Sequence, residues 1–260
     1  MNDSHKISVV INTYNAEEHL RQCLEAVKDF DETVVCDMES TDSTVEIALE
    51  YGCKIVTFPK ANHKSAEPAR TFAIQSASSE WVLVVDADEI VTPALRDYLY
   101  QRIQTSDCPE GLYIVRHNKV LGTYSRDWSH DYQLRFFVRD GTTWPPYVHT
   151  FPVVQGRVER APAKYQLRHL ADETMRQWVA KMNEYTDNEV EKKSERGFGI
   201  GALLWRPVWR FFCSYVLKGG FRNGRRGLLQ ALQWAMYQQV LVSKIMELRL
   251  RQNTPKTESL

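Results

Sequence analysis

Asp86, Asp88 and Glu89 stand directly after five consecutive apolar residues, Trp81-Val82-Leu83-Val84-Val85. Such a run, lacking polar alternation, predicts a strand buried on both faces of a parallel sheet. Ligands of open α/β sheets gather at the carboxyl ends of strands, which is where these acids fall. Acids at i and i+2 of an extended segment project to one side, so Asp86 and Asp88 are expected to face one site. Their oxygens suit a hard divalent cation, Mg²⁺ or Mn²⁺, and that cation suits a diphosphate. An isolated D-x-D is more often an acidic loop leaving a strand. Here two further clusters accompany it.

Thr13-Tyr14-Asn15 follows an expected strand at Ile7–Ile11, and Asp37 with Asp42 follows another at Thr33–Cys36. Helices expected over Ala16–Phe30, Thr44–Tyr51 and about 69–77, with a strand at Lys54–Phe58, complete a strand–helix alternation. That alternation predicts a mostly parallel, Rossmann-like sheet flanked by helices. Its three clusters converge on one rim, where Tyr14 can stack on a base and Asp37 can accept from an imide N–H. Neither G-x-G-x-x-G nor G-x-x-x-x-G-K-[ST] occurs, so phosphate binding falls to a metal on the D-x-D rather than to a glycine loop. Beyond Glu89 the spacing predicts a helix at Pro93–Ile103 and strands at Gly111–Arg116 and Gln133–Val138. The prolines of Trp144–His149 predict a loop or edge. Helices follow over Thr174–Arg196, about 202–217 and about 226–251. The expected division is a catalytic α/β domain over 1–170 and a helical region over 171–260.

Formal net charge is zero across 260 residues, but residues 1–191 carry 20 Lys and Arg against 30 Asp and Glu, and residues 192–260 carry 13 against 3. A basic tail region on an acidic body points to an anionic surface. The stretch Leu203–Lys218 puts Leu204, Val208, Phe211, Phe212 and Tyr215 on one helical face and Arg206, Arg210 and Lys218 on another. An in-plane membrane helix needs that arrangement; the competing reading packs the aromatics inward and leaves the arginines in solvent. No RNA-binding motif accompanies the charge, so no nucleic-acid partner is expected. Five cysteines without a C-x-x-C pair exclude a disulfide framework or structural zinc and fit a reducing cytosol. The polar start, Met1 to Lys6, predicts no signal peptide, and no apolar run reaches the roughly 18 residues of a span.

Ser8–Asn15, Val35–Thr44 and Val84–Glu89, in that order, resemble the family 2 glycosyltransferases. Trp178, Lys181, Asn183 and Tyr185, then Pro207, Phe211, Phe212 and Tyr215, then Gly219–Gly224 with Gly227-Leu228, extend the resemblance to the bacterial lipopolysaccharide-core β-glucosyltransferases. The resemblance implies a GT-A fold and inverting transfer of a hexose from a nucleotide sugar, with UDP-glucose or UDP-galactose as donor. The acceptor it implies is a lipopolysaccharide core or other lipid-linked glycan on the cytoplasmic face of the inner membrane, reached as a peripheral protein. By position, Thr13, Tyr14, Asn15 and Glu17 line the nucleotide pocket, Asp37 binds the uracil imide and Arg70 orders the nucleotide. Asp86 contacts ribose, or the metal through water, and Asp88 ligates the metal. The family's second acid after the first in this motif is here Met38, which loosens the base preference. Trp128–Arg135 resembles the family's acidic motif, with His130 in place of its first acid; Asp131 is the expected general base and Glu89 the runner-up. His149 resembles the late metal-ligating histidine, with a hydrogen-bonded scaffold histidine as the equal alternative. Arg135 and Arg139 offset diphosphate charge or are solvated strand ends. A nucleotidyltransferase shares the acidic rim but begins with a glycine- and arginine-rich loop unlike Asn12–Asn15. A non-catalytic, membrane-bound scaffold of the same fold is the other alternative.

Overall fold

The computed structural model describes residues 5–63, 65–127, 130–147, 150–193 and 198–253. The chain divides into two compact units. One comprises the residues up to Asn118 together with His130–Ala171; the other comprises Lys119–Ser129 and the chain from Asp172 onward.

The first unit is built on β1 (Ile7–Thr13), β2 (Glu32–Asp37), β3 (Lys54–Thr57), β4 (Trp81–Asp86), β5 (Glu89–Val91) and β6 (Gly111–His117), interleaved with α1 (Glu17–Val27), α2 (Thr44–Glu50), α3 (Glu67–Gln75) and α4 (Pro93–Ile103). The second unit takes the short hairpin β7 (Lys119–Val120) and β8 (Thr123–Tyr124), after which β9 (Asp131–Val138), β10 (Val158–Arg160) and β11 (Gln166–His169) return to the main sheet. The sheet order is β3-β2-β1-β4-β9-β6-β11-β5, with β10 beside β6. β1 pairs parallel to both β2 and β4, so the strand order reverses between β1 and β4. β9 runs antiparallel to β4, which brings its first residue, Asp131, to the edge where β4 ends.

Both faces of the central strands are covered, which explains the absence of alternation in β4. Val9, Ile11, Leu83 and Val85 enter one core with Leu20, Leu24, Leu95 and Leu99, and Val10, Val82 and Val84 enter the other with Ala69, Ala73 and Ile74. Leu83 is completely buried, so Leu83→Ala is expected to cost about 2–5 kcal/mol, read from the shift of the urea-unfolding midpoint.

The second unit packs α5 (Met175–Lys193), α6 (Ile200–Phe212) and α7 (Gly224–Asn253). α6 continues into a π-helical turn at Cys213–Leu217, and a short 3₁₀ turn at Gly220–Asn223 leads into α7. Lys244 Nζ donates to Asn183 Oδ1, Thr186 Oγ1 and Asp187 Oδ1, tying α7 to α5. α7 begins by crossing the preceding turn so closely that a Cβ on Gly227 would lie 1.9 Å from the Gly220 carbonyl oxygen. That neighbour is backbone and cannot step aside. Gly227→Ala is therefore expected to lower stability by about 3 kcal/mol or more, with loss of helical ellipticity at a lower melting temperature.

Candidate active site

The rim at the ends of β1 and β2 is laced together before it meets any ligand. The Asn15 and Glu39 backbones adopt left-handed conformations (φ 47° and 62°), unusual for residues other than glycine. Asn15 Oδ1 accepts from the Thr41 N–H, and the Asn15 N–H donates to Ser40 Oγ. α1 has no side-chain cap of its own. Its first N–H groups are met from the β2 loop instead: Ala16 N–H donates to Thr44 Oγ1 and Glu17 N–H to Asp42 Oδ2. Those donors are spent on protein, in keeping with a phosphate not held by this helix terminus.

The expected nucleotide-pocket residues divide accordingly. Tyr14 and Asn15 line a cavity of about 300 Å³ with Asn12, His19, Ala87 and Asp88, at the switch point between β1 and β4 where ligands of such sheets collect. Tyr14 is 48% exposed, and Lys60 Nζ lies 4.7 Å from its ring centroid. Thr13 is buried and donates to Asp37 Oδ1, while Glu17 Oε2 accepts from the Ser43 N–H. Asp37 is also buried, accepting Ser40 Oγ–H on Oδ1 and the Ser40 N–H on Oδ2.

The D-x-D acids part company. The expectation that Asp86 and Asp88 face one site required extended backbone, but β4 ends at Asp86 and the chain turns at Ala87-Asp88 into β5. Asp86 is clasped by Arg70, 2.8 Å away, and by Arg135. Burial alone would push its carboxyl up, yet the charges of Arg135 and Arg70 hold it far below the ordinary carboxylate range. Arg135 is neither a solvated strand end nor a free cation for phosphate. It is buried beside Asp86 and Glu89, and although burial opposes its charge, those carboxylates keep its affinity for the proton raised. Arg139 lies apart from this network, donating to the Ala77 carbonyl and to Asp140. Arg70 also stacks on Trp144, with its Cζ 4.5 Å from the ring centroid.

Glu89 has no exposed surface. Its Oε2 accepts the Asp86 N–H, and its Oε1 lies 3.4 Å from Arg135 and 3.8 Å from Arg116. Burial, then the nearby Asp86 charge, raises its pKa. The geometry gives it a supporting place under the β4 turn, out of an acceptor's reach.

Asp88 instead meets a histidine to which the sequence drew no attention. His169 Nε2 lies 3.2 Å from Asp88 Oδ2, and His169 Nδ1 lies 2.9 Å from Asn118 Oδ1. The Asn118 Nδ2 donates in turn to Asp131 Oδ2. One polar chain thus runs Asp131–Asn118–His169–Asp88. The Asn118 contact at Nδ1 orients the ring so that Nε2 faces the Asp88 carboxylate. No group of three His, Cys, Asp or Glu placed to hold a metal occurs among the described residues. Asp88 and His169 make a carboxylate–imidazole pair, donor types that suit a divalent cation. His149 lies outside the described residues.

Asp131 is held by three donors: Arg116 Nε at 2.8 Å and Asn118 Nδ2 on Oδ2, and Gln133 Nε2 on Oδ1. Partial burial raises its pKa, but the Arg116 charge and these hydrogen bonds outweigh it and leave it lowered.

Residues 8–160 match the family model of glycosyl transferase family 2; the chain belongs to that family, and its fold is GT-A with a C-terminal helical region. It is 26% identical over 248 residues to the lipopolysaccharide core biosynthesis glycosyltransferase LpsC of Rhizobium meliloti, an alignment covering 92% of this chain and 91% of that protein. It is likewise 26% identical to an uncharacterized glycosyltransferase of Rickettsia bellii, covering 98% of this chain and 90% of the relative. Among solved structures, the mannosyltransferase PcManGT of Pyrobaculum calidifontis, in complex with GDP-Man and Mn²⁺, superposes with a TM-score of 0.54 at 15% identity. That match covers 96% of this chain and 88% of the other. The chain is thus a glycosyltransferase.

Proposed function

We propose that this glycosyltransferase moves a hexose from a nucleoside diphosphate sugar, UDP-glucose or UDP-galactose, to a hydroxyl of a lipid-linked glycan, with inversion at the anomeric carbon. The observation that supports the reading is the polar chain Asp131–Asn118–His169–Asp88, which joins an oriented carboxylate to a carboxylate–imidazole pair. Tyr14 offers its exposed ring to the base. Asp37 keeps one Oδ2 lone pair beyond its bond from Ser40 for an imide N–H. Asp88 and His169 would hold Mg²⁺ or Mn²⁺, with Asp86 steadied by Arg70 and Arg135.

A cation there supplies neutralising charge for the diphosphate. Asp131 takes the proton of the acceptor hydroxyl as its oxygen bonds to the anomeric carbon and the bond to the diphosphate oxygen breaks on the opposite face. Arg116, Asn118 and Gln133 fix the carboxylate's direction and keep it ionised.

Because Asp131 is held below its ordinary range, the acid limb of kcat/KM is expected to lie below the usual aspartate pKa of 3.8. Arg116→Gln removes the largest lowering influence and leaves burial in place, so that limb should move to higher pH. A limb unmoved in the variant would remove Asp131 from the role of base.

The likeness to LpsC supports an acceptor of the lipopolysaccharide core class, and hence a peripheral position on the cytoplasmic face of the inner membrane. No helix among the described residues is long and apolar enough to cross a membrane. The test is release of nucleotide from UDP-glucose, UDP-galactose and GDP-mannose in the presence of core glycolipid. Glycolipid-stimulated turnover of a UDP-hexose alone is the expected result; preference for GDP-mannose would overturn the uridine assignment.

A further inference from the structure

α6 presents its residues in the reverse of the usual order. Ile200, Leu204, Trp205, Val208, Trp209 and Phe212 are all exposed, with Ile200 and Leu204 at 75% and 73%. The helix contains no buried residue. Its arginines turn inward, half-buried along with Leu203, Pro207 and Phe211. Arg206 lies over the Phe198 ring and donates to Gln238, and Arg210 lies over Trp234 on α7. The expected faces are kept only in part: Leu204, Val208 and Phe212 are exposed together, but Phe211 and Tyr215, expected beside them, are half-buried as Arg206 and Arg210 are, and Lys218, expected with the arginines, is exposed. Both earlier readings of Arg206 and Arg210, as lipid contacts or as solvated charges, are thereby corrected.

On the outward side Trp205, Trp209 and Phe212 form a stacked ladder, with centroid separations of 5.6 and 5.8 Å. The cations available to an external partner come later, from Lys218 and Arg225, both exposed around the turn that enters α7. Between Phe198 and Met246 there is no Asp or Glu, against seven Lys or Arg. A second copy of this chain would bring its own exposed Lys218 and Arg225 to such a face, which disfavours self-association. A surface that is anionic outside and apolar beneath complements it in both respects. No helix among the described residues is long and apolar enough to cross a membrane.

We infer that the outer face of α6 lies in the plane of an anionic bilayer. Trp205, Trp209 and Phe212 sit at the boundary of headgroups and acyl chains, and Lys218 and Arg225 meet lipid phosphates. Arg206 and Arg210 are not lipid contacts; they stack α6 onto its own unit. This deepens the peripheral membrane placement proposed above by naming the surface, and it is independent of the donor assignment.

The experiment is co-sedimentation of the full chain with vesicles of phosphatidylcholine, alone or with a quarter phosphatidylglycerol, beside UDP titration of each variant. The wild type is expected to pellet with the anionic vesicles and to be released by salt. Trp205→Ala/Trp209→Ala should weaken binding at least tenfold, and Lys218→Gln/Arg225→Gln should weaken it about fivefold per charge. UDP binding and the far-ultraviolet circular dichroism spectrum should stay unchanged in both. Failure of a UDP-binding wild type to sediment would overturn the docking face while leaving the glycosyltransferase reading intact. Undiminished vesicle binding in the tryptophan variant would overturn it as well. So would a dimer, or an RNA complex, dissolved by the same substitutions in a protein that ignores vesicles.

Discussion

Asp131→Asn is expected to lower the transfer rate by about three orders of magnitude, within the range that a positioned general base contributes. The substitution keeps the shape of the side chain but removes its basicity. It also sets an amide against three donors from Arg116, Asn118 and Gln133. Nucleotide affinity should change little, because Asp131 is not among the residues lining the cavity of Tyr14, Asn15 and Asp88. The diagnostic result is therefore a fall in kcat with UDP binding retained by calorimetry. Activity within tenfold of wild type would require another base. Glu89, which has no exposed surface, is not placed to supply it.

Arg135→Met is expected to destabilise the fold by about 3–5 kcal/mol, the scale of breaking a buried ion pair from one side. Arg135 is buried between Asp86 and the fully enclosed Glu89; without it Asp86 keeps only Arg70, and Glu89 keeps only the longer contact to Arg116. The linkage has a definite sign. Asp86 is held below its ordinary pKa of 3.8, so its contribution is complete above that value and is lost as pH falls through and below it. The variant should show a shallower loss of stability on acidification than the wild type, as well as a lower denaturation midpoint at neutral pH. Equal midpoints for the two proteins would mean that the arginine–carboxylate cluster contributes no net stability.

What was legible in the sequence was what local pattern controls. The unbroken apolar run of β4 announced a strand covered on both faces. The polar residues after β1, β2 and β4 announced a shared rim, because parallel strands place all their carboxyl ends together. At Ala87-Asp88 the chain turns rather than staying extended, and the two acids take different partners, Arg70 and Arg135 for Asp86 and His169 for Asp88. His169 was not visible, since β11 has only four residues and owes its place to pairing with both β5 and β6. Asp88 and His169 are 81 positions apart in the chain, and no local signal spans that distance. The burial of Arg135 and Glu89 was hidden for a similar reason: their charges are compatible with the interior only because each is the other's partner. On α6 the expected apolar face was right for Leu204, Val208 and Phe212 and wrong for the half-buried Phe211 and Tyr215, because periodicity alone does not say which face is packed. That was decided by Phe198, Trp234 and Gln238, which accept the arginine side chains.

The most direct test of the central claim is calorimetric titration of UDP into the wild type and into Asp88→Ala, each with and without Mn²⁺. A sugar-nucleotide site on this rim predicts wild-type binding strengthened by at least tenfold with the metal, and no metal dependence in the variant. UDP binding that is absent under every condition, or equally metal-dependent without Asp88, would contradict it.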